Sequence, residues 1–301
     1  MSILIDENTT FIIQGITGRE AVNMARECLD YGSKLVGGVT PGRGGRDVHG
    51  VPVYDTVRQV TDRQRVDASV ISVPPPFVRD AAFEAIENGI KLLVIVTERI
   101  PRLEVVQLLE VARRNGARVI GPNCLGIMSP GKSRVGGMGG AASAARRAYQ
   151  PGPIGIMSRS GGMTTEIANT LTAAGLGQST AVSIGGDAIV GSTYAELMPL
   201  FEADPETKAI VIYSEPGGPM EAQLARYVKE TNSRLPIVAF MAGRFMDEMP
   251  GMRFGHAGTI VEGRADTTAE KIARMQDAGI SVAEEIQEIP DLVKQRIGAA
   301  S

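Results

Sequence analysis

Short apolar runs closed by small or polar residues alternate with stretches of helical periodicity along most of the chain. Phe11-Ile12-Ile13 ends in Gln14-Gly15-Ile16-Thr17-Gly18. From Arg19 to Tyr31, Ala21, Met24, Ala25 and Cys28 or Leu29 recur at helical spacing. Strand, glycine turn and helix predict the opening of a dinucleotide-type βαβ unit. Further strands are predicted at Lys34 to Val39, Val66 to Val73, Leu92 to Val96 and Arg118 to Ile120, with helices at Ala81 to Asn88 and Leu103 to Asn115. Leu92-Leu93-Val94-Ile95-Val96 is apolar throughout, as a parallel strand buried on both faces should be. The fold class that follows is α/β, and in such sheets ligands bind at the carboxyl ends of the strands.

The alternation stops between residues 131 and 152, a Gly- and Ala-rich stretch carrying Arg146-Arg147 and ending Pro151-Gly152-Pro153. It reads as a linker between a first domain, 1–130, and a second, 153–301. The arginines read as solvated. Strands resume at Ile154 to Met157, Ser179 to Ile184, Ala209 to Tyr213, Ile237 to Ala242 and Ile280 to Val282. Helices are expected after Gly162, with Ile167, Leu171 and Ala174 on one face, then at Thr267 to Ala278 and Ile289 to Ile297.

The strand ends hold the candidate chemistry. Gly15 and Gly18 permit a tight turn that aims backbone amides at an anion, or an ordinary turn. Thr40-Pro41-Gly42-Arg43-Gly44-Gly45-Arg46 is glycine-rich and basic where a nicotinamide site needs a carboxylate for the ribose. It suits a phosphate, or is a solvated turn. Ser160 is well placed to cap the helix that follows, and the same free amides can hold an anion. Glu215 ends a strand, where a carboxylate can set the tautomer of an imidazole or simply face water. The chain has two histidines, and His256 stands in Arg253-Phe254-Gly255-His256-Ala257-Gly258, where small neighbours leave its ring accessible. It is either a loop histidine without a special task or a nucleophile, proton carrier or ligand.

Composition narrows the class. With 301 residues the chain is long enough for two cores, and 36 glycines without tryptophan suit many strand–helix turns. A net charge of −3 argues against a nucleic-acid partner. Cys28 and Cys124 are too few for a disulfide framework or a metal cluster, which fits a reducing cytoplasmic setting and no metal site. The N-terminus has neither a basic region nor a long apolar run, so neither signal peptide nor membrane association is expected.

The segments "QGITG", "YGSKLVGGVTPGRGG", "GPNCLGIMSPG", "IGIMSRSGG", "GQSTAVSIGGD" and "FGHAG", in this order, resemble the α subunit of succinyl-CoA synthetase and its relatives, the ADP- or GDP-forming acyl-CoA ligases. The resemblance covers nearly the whole chain. It implies a Rossmann-like CoA-binding domain followed by a flavodoxin-like ligase domain. It implies that Thr17, Gly18, Arg19, Pro41, Arg43, Val73, Pro74, Thr97, Glu98, Asn123 and Cys124 line the CoA site. It further implies that His256 is transiently phosphorylated, that Ser160, Gly161 and Gly162 hold its phosphate, and that Glu215 contacts it. ATP or GTP with Mg would belong to a β subunit of ATP-grasp fold.

Departures from that pattern bear on the acid. "SRSGGMTTE" replaces the usual "SRSGTLTYE", so Gly162 and Thr165 stand for a threonine and a tyrosine. Arg43 replaces a lysine, Arg19-Glu20-Ala21 is unusual, and the 131–152 stretch is long. The lead-in to the histidine, residues 243–250, is nearer to citrate-activating relatives. Losing the tyrosine at Thr165 should open room and add a hydroxyl near the phosphate helix. Malate, citrate or a sulfonated acid therefore stands beside succinate. A CoA-binding protein without catalysis is a competing reading, as is a nicotinamide dehydrogenase, which the missing acidic residue and third glycine oppose.

Overall fold

A computed structural model of the chain describes residues 2–252, 254–261, 263 and 267–299. The first half contains β1 (Thr10–Gln14), β2 (Lys34–Val39), β3 (Asp47–Val48), β4 (Val51–Tyr54), β5 (Ala68–Ile71), β6 (Leu92–Ile95) and β7 (Arg118–Ile120). They form one sheet in the order β3-β4-β2-β1-β5-β6-β7, parallel apart from the β3–β4 pair. Without β3 this is the Rossmann order, whose direction of winding reverses between β1 and β5. The helices are α1 (Arg19–Tyr31), α2 (Val57–Thr61), α3 (Val78–Glu87) and α4 (Arg102–Arg114). Strand β5 is shorter than the apolar run predicts, because Pro75–Phe77 close a 3-10 turn directly after it.

The second sheet has the order β14-β13-β12-β10-β11-β8-β9. Its strands are β8 (Gly126–Ser129), β9 (Ser133–Gly136), β10 (Pro151–Ser158), β11 (Gln178–Ser183), β12 (Ala209–Ser214), β13 (Ile237–Met241) and β14 (Ser281–Ala283). The five from β10 to β14 are parallel and follow the flavodoxin-like order, which reverses between β10 and β12. The accompanying helices are α5 (Ala142–Ala148), α6 (Gly161–Ala173), α7 (Tyr194–Ala203), α8 (Met220–Thr231), α9 (Thr268–Asp277) and α10 (Ile289–Ala299).

The 131–152 stretch is not a linker. Strand β9 pairs with β8 in an antiparallel hairpin on the edge of the second sheet, α5 follows, and β10 already begins at Pro151. The chain passes from one sheet to the other between β7 and β8, at residues 121–125. The small residues there serve close packing. In the hairpin, a Cβ at Gly136 would stand 2.4 Å from the Leu125 carbonyl oxygen. Arg146 is not a free surface cation either: it donates to the Tyr31 carbonyl at 2.7 Å and lies over the Tyr31 ring, covering the end of α1. Arg134, fully buried, donates to the carbonyls of Met138 and Gly140 at 3.0 and 2.5 Å. Hairpin and α5 thereby strap the second domain to α1 of the first. Among the described residues no helix is long and apolar enough to cross a membrane.

Candidate active site

Both sheets place their reversal points toward functional loops. Next to β1 and β5, Gly15 turns with φ +86°, and a Cβ there would meet the Ser72 carbonyl oxygen at 2.5 Å. Helix α1 then starts from Gly18 without any side-chain cap, so its first amides are free for an anion. A cavity of about 890 Å³ opens beside this helix end. Gly18, Arg19, Val73, Pro74, Thr97, Glu98 and Cys124 line it, and Gly137 and Gly140 of the hairpin region close its far wall. A second cavity of about 710 Å³ shares Gly18, Val73 and Pro74 and adds Thr17 and Pro41.

Thr97 donates to the Val73 carbonyl at 2.7 Å and so joins two walls. Arg43 and Asn123 line neither cavity. Arg43 sits on an exposed turn, and the Asn123 carboxamide donates to Asp187 at 3.0 Å, across to the second domain. The Cys124 thiol is buried and donates to the Ile95 carbonyl at 3.3 Å. Burial pushes it up to about 12, so it stays protonated and unreactive near neutral pH.

The second reversal point carries His256. Its Nδ1 lies 2.8 Å from Glu215 Oε2, which also accepts from the Thr259 hydroxyl at 3.2 Å. A carboxylate only accepts, so Nδ1 holds the proton and Nε2 keeps the lone pair. The His256 ring is 28% exposed and Glu215 only 8%. Gly186 lies flat against the ring, and Gly258 donates its amide to the Gly186 carbonyl at 3.2 Å. Helix α6 begins nearby in chain order after β10, capped by Ser160, whose hydroxyl accepts from the Met163 amide at 3.4 Å. A Cβ on Gly161 would strike Leu125, whereas Gly162 faces open space. Loop 121–125 thus touches both centres: Cys124 and Leu125 line the larger cavity, and the Asn123 carbonyl accepts from the Gly186 amide beneath His256.

Two buried cations complete this centre. Arg159 lies 4.0 Å from Glu215 and donates to the Gly217 carbonyl at 3.3 Å. Lys271 donates to the Glu215 carbonyl at 3.1 Å from below. Sequence reading quoted Arg159 without a role and passed over Lys271 within a predicted helix. A lysine at helical spacing between Thr268 and Met275 on the buried side of that helix was the available signal. The hydroxyl of the half-buried Thr165 pairs with the buried Tyr149 hydroxyl at 2.9 Å. The expected extra polar group near the phosphate helix is therefore already satisfied, by the stretch that reads as a linker.

The hydrogen bond from Glu215 raises His256 above its ordinary value, against the opposing effect of burial. Burial alone would raise Glu215, yet the hydrogen bond and charge of His256, with Arg159, hold it below the ordinary carboxylate range. The raised imidazole contributes its full stability below about pH 6.5 and loses it as pH rises through its folded value. The depressed carboxyl contributes above about pH 4.5 and loses it as pH falls through its folded value. Their coupling thus stabilises most between these limits. The melting-temperature gap between the native chain and Glu215→Gln should be widest there and shrink on both sides; a gap independent of pH would refute the coupling.

The CoA binding domain family matches residues 6–99 and the CoA-ligase family residues 157–281. A CoA-binding half and a histidine-bearing ligase half define a subunit of the acid–thiol ligases that join carboxylic acids to CoA. The chain belongs to the family of ADP-forming succinate–CoA ligase α subunits. It is 44% identical over 295 residues to subunit alpha 1 of the succinate–CoA ligase of Archaeoglobus fulgidus, covering 98% of each chain. It is 43% identical over 287 residues to the malate–CoA ligase α subunit of Methylorubrum extorquens, covering 94% of each. Among solved structures, a mutant ATP citrate lyase of Methanosaeta concilii in complex with (3S)-citryl-CoA superposes with a TM-score of 0.90 at 25% identity. That match covers 99% of this chain and 51% of the lyase chain.

Proposed function

We propose that this chain is the α half of a heteromeric carboxylate–CoA ligase in which His256 carries a phosphoryl group between two reactions. The observation that supports this most directly is the 2.8 Å bond from His256 Nδ1 to the buried Glu215, which leaves Nε2 as a partly exposed nucleophile. Nε2 attacks the terminal phosphorus of ATP or GTP, and the nucleoside diphosphate leaves. A carboxylate oxygen of the acid then takes the phosphoryl group, which frees His256 and gives an acyl phosphate. The CoA thiolate attacks the acyl carbon and expels inorganic phosphate. The histidine splits one hard step into easier ones. The amides at the start of α6, with Ser160, Gly161 and Gly162, stabilise the phosphorylated imidazole.

CoA fits the first reversal point. The uncapped amides of Arg19 and Glu20 at the start of α1 suit its phosphates, and Val73, Pro74 and Leu125 offer an apolar wall to its thiol arm. The nucleotide and Mg belong to a β subunit of ATP-grasp fold. Succinate is the first candidate acid on the strength of the A. fulgidus relative. A hydroxy- or tricarboxylic acid such as malate or citrate is the second. The likeness of this chain to about half of the citrate lyase chain favours keeping it.

Two measurements test this reading. Co-expressed with the β subunit encoded beside it, the chain should release ADP in a CoA-dependent manner with one acid of a di- and tricarboxylate panel. Succinate giving by far the highest kcat/KM would eliminate the larger acids. CoA at a hundred times its Kd should stabilise the chain by about 2.7 kcal/mol, a melting shift of several degrees, while NAD should leave it unchanged. Protection by NAD in place of CoA would return the dehydrogenase reading.

A further inference from the structure

We propose that Lys271 is a positioning residue for the phosphoryl-carrying histidine: from α9 it clamps the Glu215–Gly217 turn and thereby fixes the carboxylate that holds His256. The inference rests on the function proposed above and deepens it. Lys271 is 2% exposed, and its Nζ donates to the Glu215 carbonyl at 3.1 Å, the Gly217 carbonyl at 2.6 Å and Glu221 Oε2 at 2.7 Å. These three bonds use all the protons of an ammonium group. Two of the three acceptors are main-chain oxygens of the very turn that carries Glu215.

The turn in its own right is shaped to transmit this hold. Gly217 has φ +84°, and a Cβ there would lie 2.4 Å from the Gly258 carbonyl oxygen, so the turn rests on the histidine loop. Arg159 Nη1 donates to the same Gly217 carbonyl. Helix α9 is anchored in turn: the Thr268 amide and hydroxyl both donate to Asp247 at 2.7 Å. A rigid path therefore runs from Asp247 through α9, Lys271 and the turn to Glu215 and His256.

Energetics argue that the lysine is there for geometry. Burying an ion pair gains little or no stability over an apolar pair of similar size. Glu221 is fully buried, and among the described residues its second oxygen, Oε1, has no hydrogen-bond partner, so this pair is not optimised for stability. What it does provide is a cation with fixed bond directions beneath Glu215. The charged and titratable groups around the two ends are few. Among the described residues Glu221 lies beside the lysine, and Glu215, Arg159 and Asp187 lie beside the imidazole.

The two histidines make a direct test possible. In the full-length chain with 13C at histidine Cε1, His256 is titrated by NMR and His49 serves as an internal reference. Glu215→Gln sets the benchmark for a lost carboxylate. Lys271→Met with Glu221→Met removes the clamp without changing net charge, and Glu221→Gln removes only the carboxylate while keeping both carbonyl bonds. The double variant should move the His256 midpoint downward, in the direction of the benchmark, with His49 unmoved. Glu221→Gln should leave both where they are. With the partner subunit and ATP, phosphorylation of the double variant should slow at least about tenfold while thermal protection by CoA persists.

A double variant in which His256 titrates as in the native chain would overturn the proposal. So would a shift in Glu221→Gln as large as that in the double variant, because charge and not the clamp would then be responsible. Should the Met pair fail to fold, Lys271→Gln with Glu221→Gln, whose amides can share a hydrogen bond, takes its place, and the Glu221→Gln comparison decides independently. A native chain that titrates as expected but is never phosphorylated would sink the ligase reading and leave the clamp intact.

Discussion

His256→Asn should abolish CoA-dependent ADP release and phosphate incorporation from ATP, a loss of at least about 10³-fold, while CoA still protects the chain against heat. Asparagine is the informative substitution. Its amide can donate to Glu215 as Nδ1 does, so the buried carboxylate is not left without a partner. What disappears is the nucleophilic nitrogen. The two cavities beside α1 share Gly18, Val73 and Pro74 and do not include His256, so a ligand bound there would not feel the change. The measurement is a pair: labelled phosphate retained on the chain after mixing with the partner subunit and ATP, and melting temperature with and without CoA. Turnover that survives in the variant would mean direct transfer from nucleotide to acid and would remove the carrier role altogether.

The features that sequence made visible are those written in local pattern. Most of the parallel strands are apolar runs closed by glycine or a small polar residue, with β11 (Gln178–Ser183) the exception, and several helices between them show their faces. That is enough to expect ligands at strand ends, where Gly18, Val73 and Glu215 follow β1, β5 and β12, whereas His256 comes from the long connection after β13. The invisible features depend on contacts between distant segments. Lys271 meets Glu221 across 50 positions and Asn123 meets Asp187 across 64. Helix α7 escaped because Pro199 interrupts its interior and its pattern is nearly all apolar. The 131–152 stretch misled for a physical reason: glycine and alanine spell flexibility in an isolated chain but permit close packing in a folded one. Arg146 reads as surface charge for the same cause, since its acceptors are main-chain carbonyls that composition cannot reveal. Tyr149 shows the consequence for function. It brings a phenol to Thr165 from another segment, so the loss of a tyrosine at that position was only half of a change.

Gly186→Ala should fold and bind CoA, yet slow phosphorylation of His256 by about 10² -fold or more. A Cβ at Gly186 would stand 2.3 Å from His256 Cγ and 2.6 Å from Nδ1 and Cδ2. No rotation of a flat ring fixed at one edge relieves contacts on the ring's own base. The histidine loop is tied down at the same place, by the Gly258 amide on the Gly186 carbonyl and the Thr259 amide on the His256 carbonyl. The imidazole must therefore leave Glu215, or the loop after β11 must retreat and carry the loop with it. In both cases the 2.8 Å bond that selects the Nδ1–H tautomer is lost or lengthened. The stability penalty of such overpacking is about 1–3 kcal/mol, too small to unfold the chain but visible as a lower melting temperature. Gly298→Ala is the control, in α10 with open space where its methyl would go, and should be neutral or slightly stabilising. His256 in Gly186→Ala should also titrate nearer the ordinary imidazole value than in the native chain, because its carboxylate partner is displaced. Phosphorylation at the native rate together with an unmoved titration would show that the glycine is a matter of chain geometry alone and that the ring does not depend on its bare face.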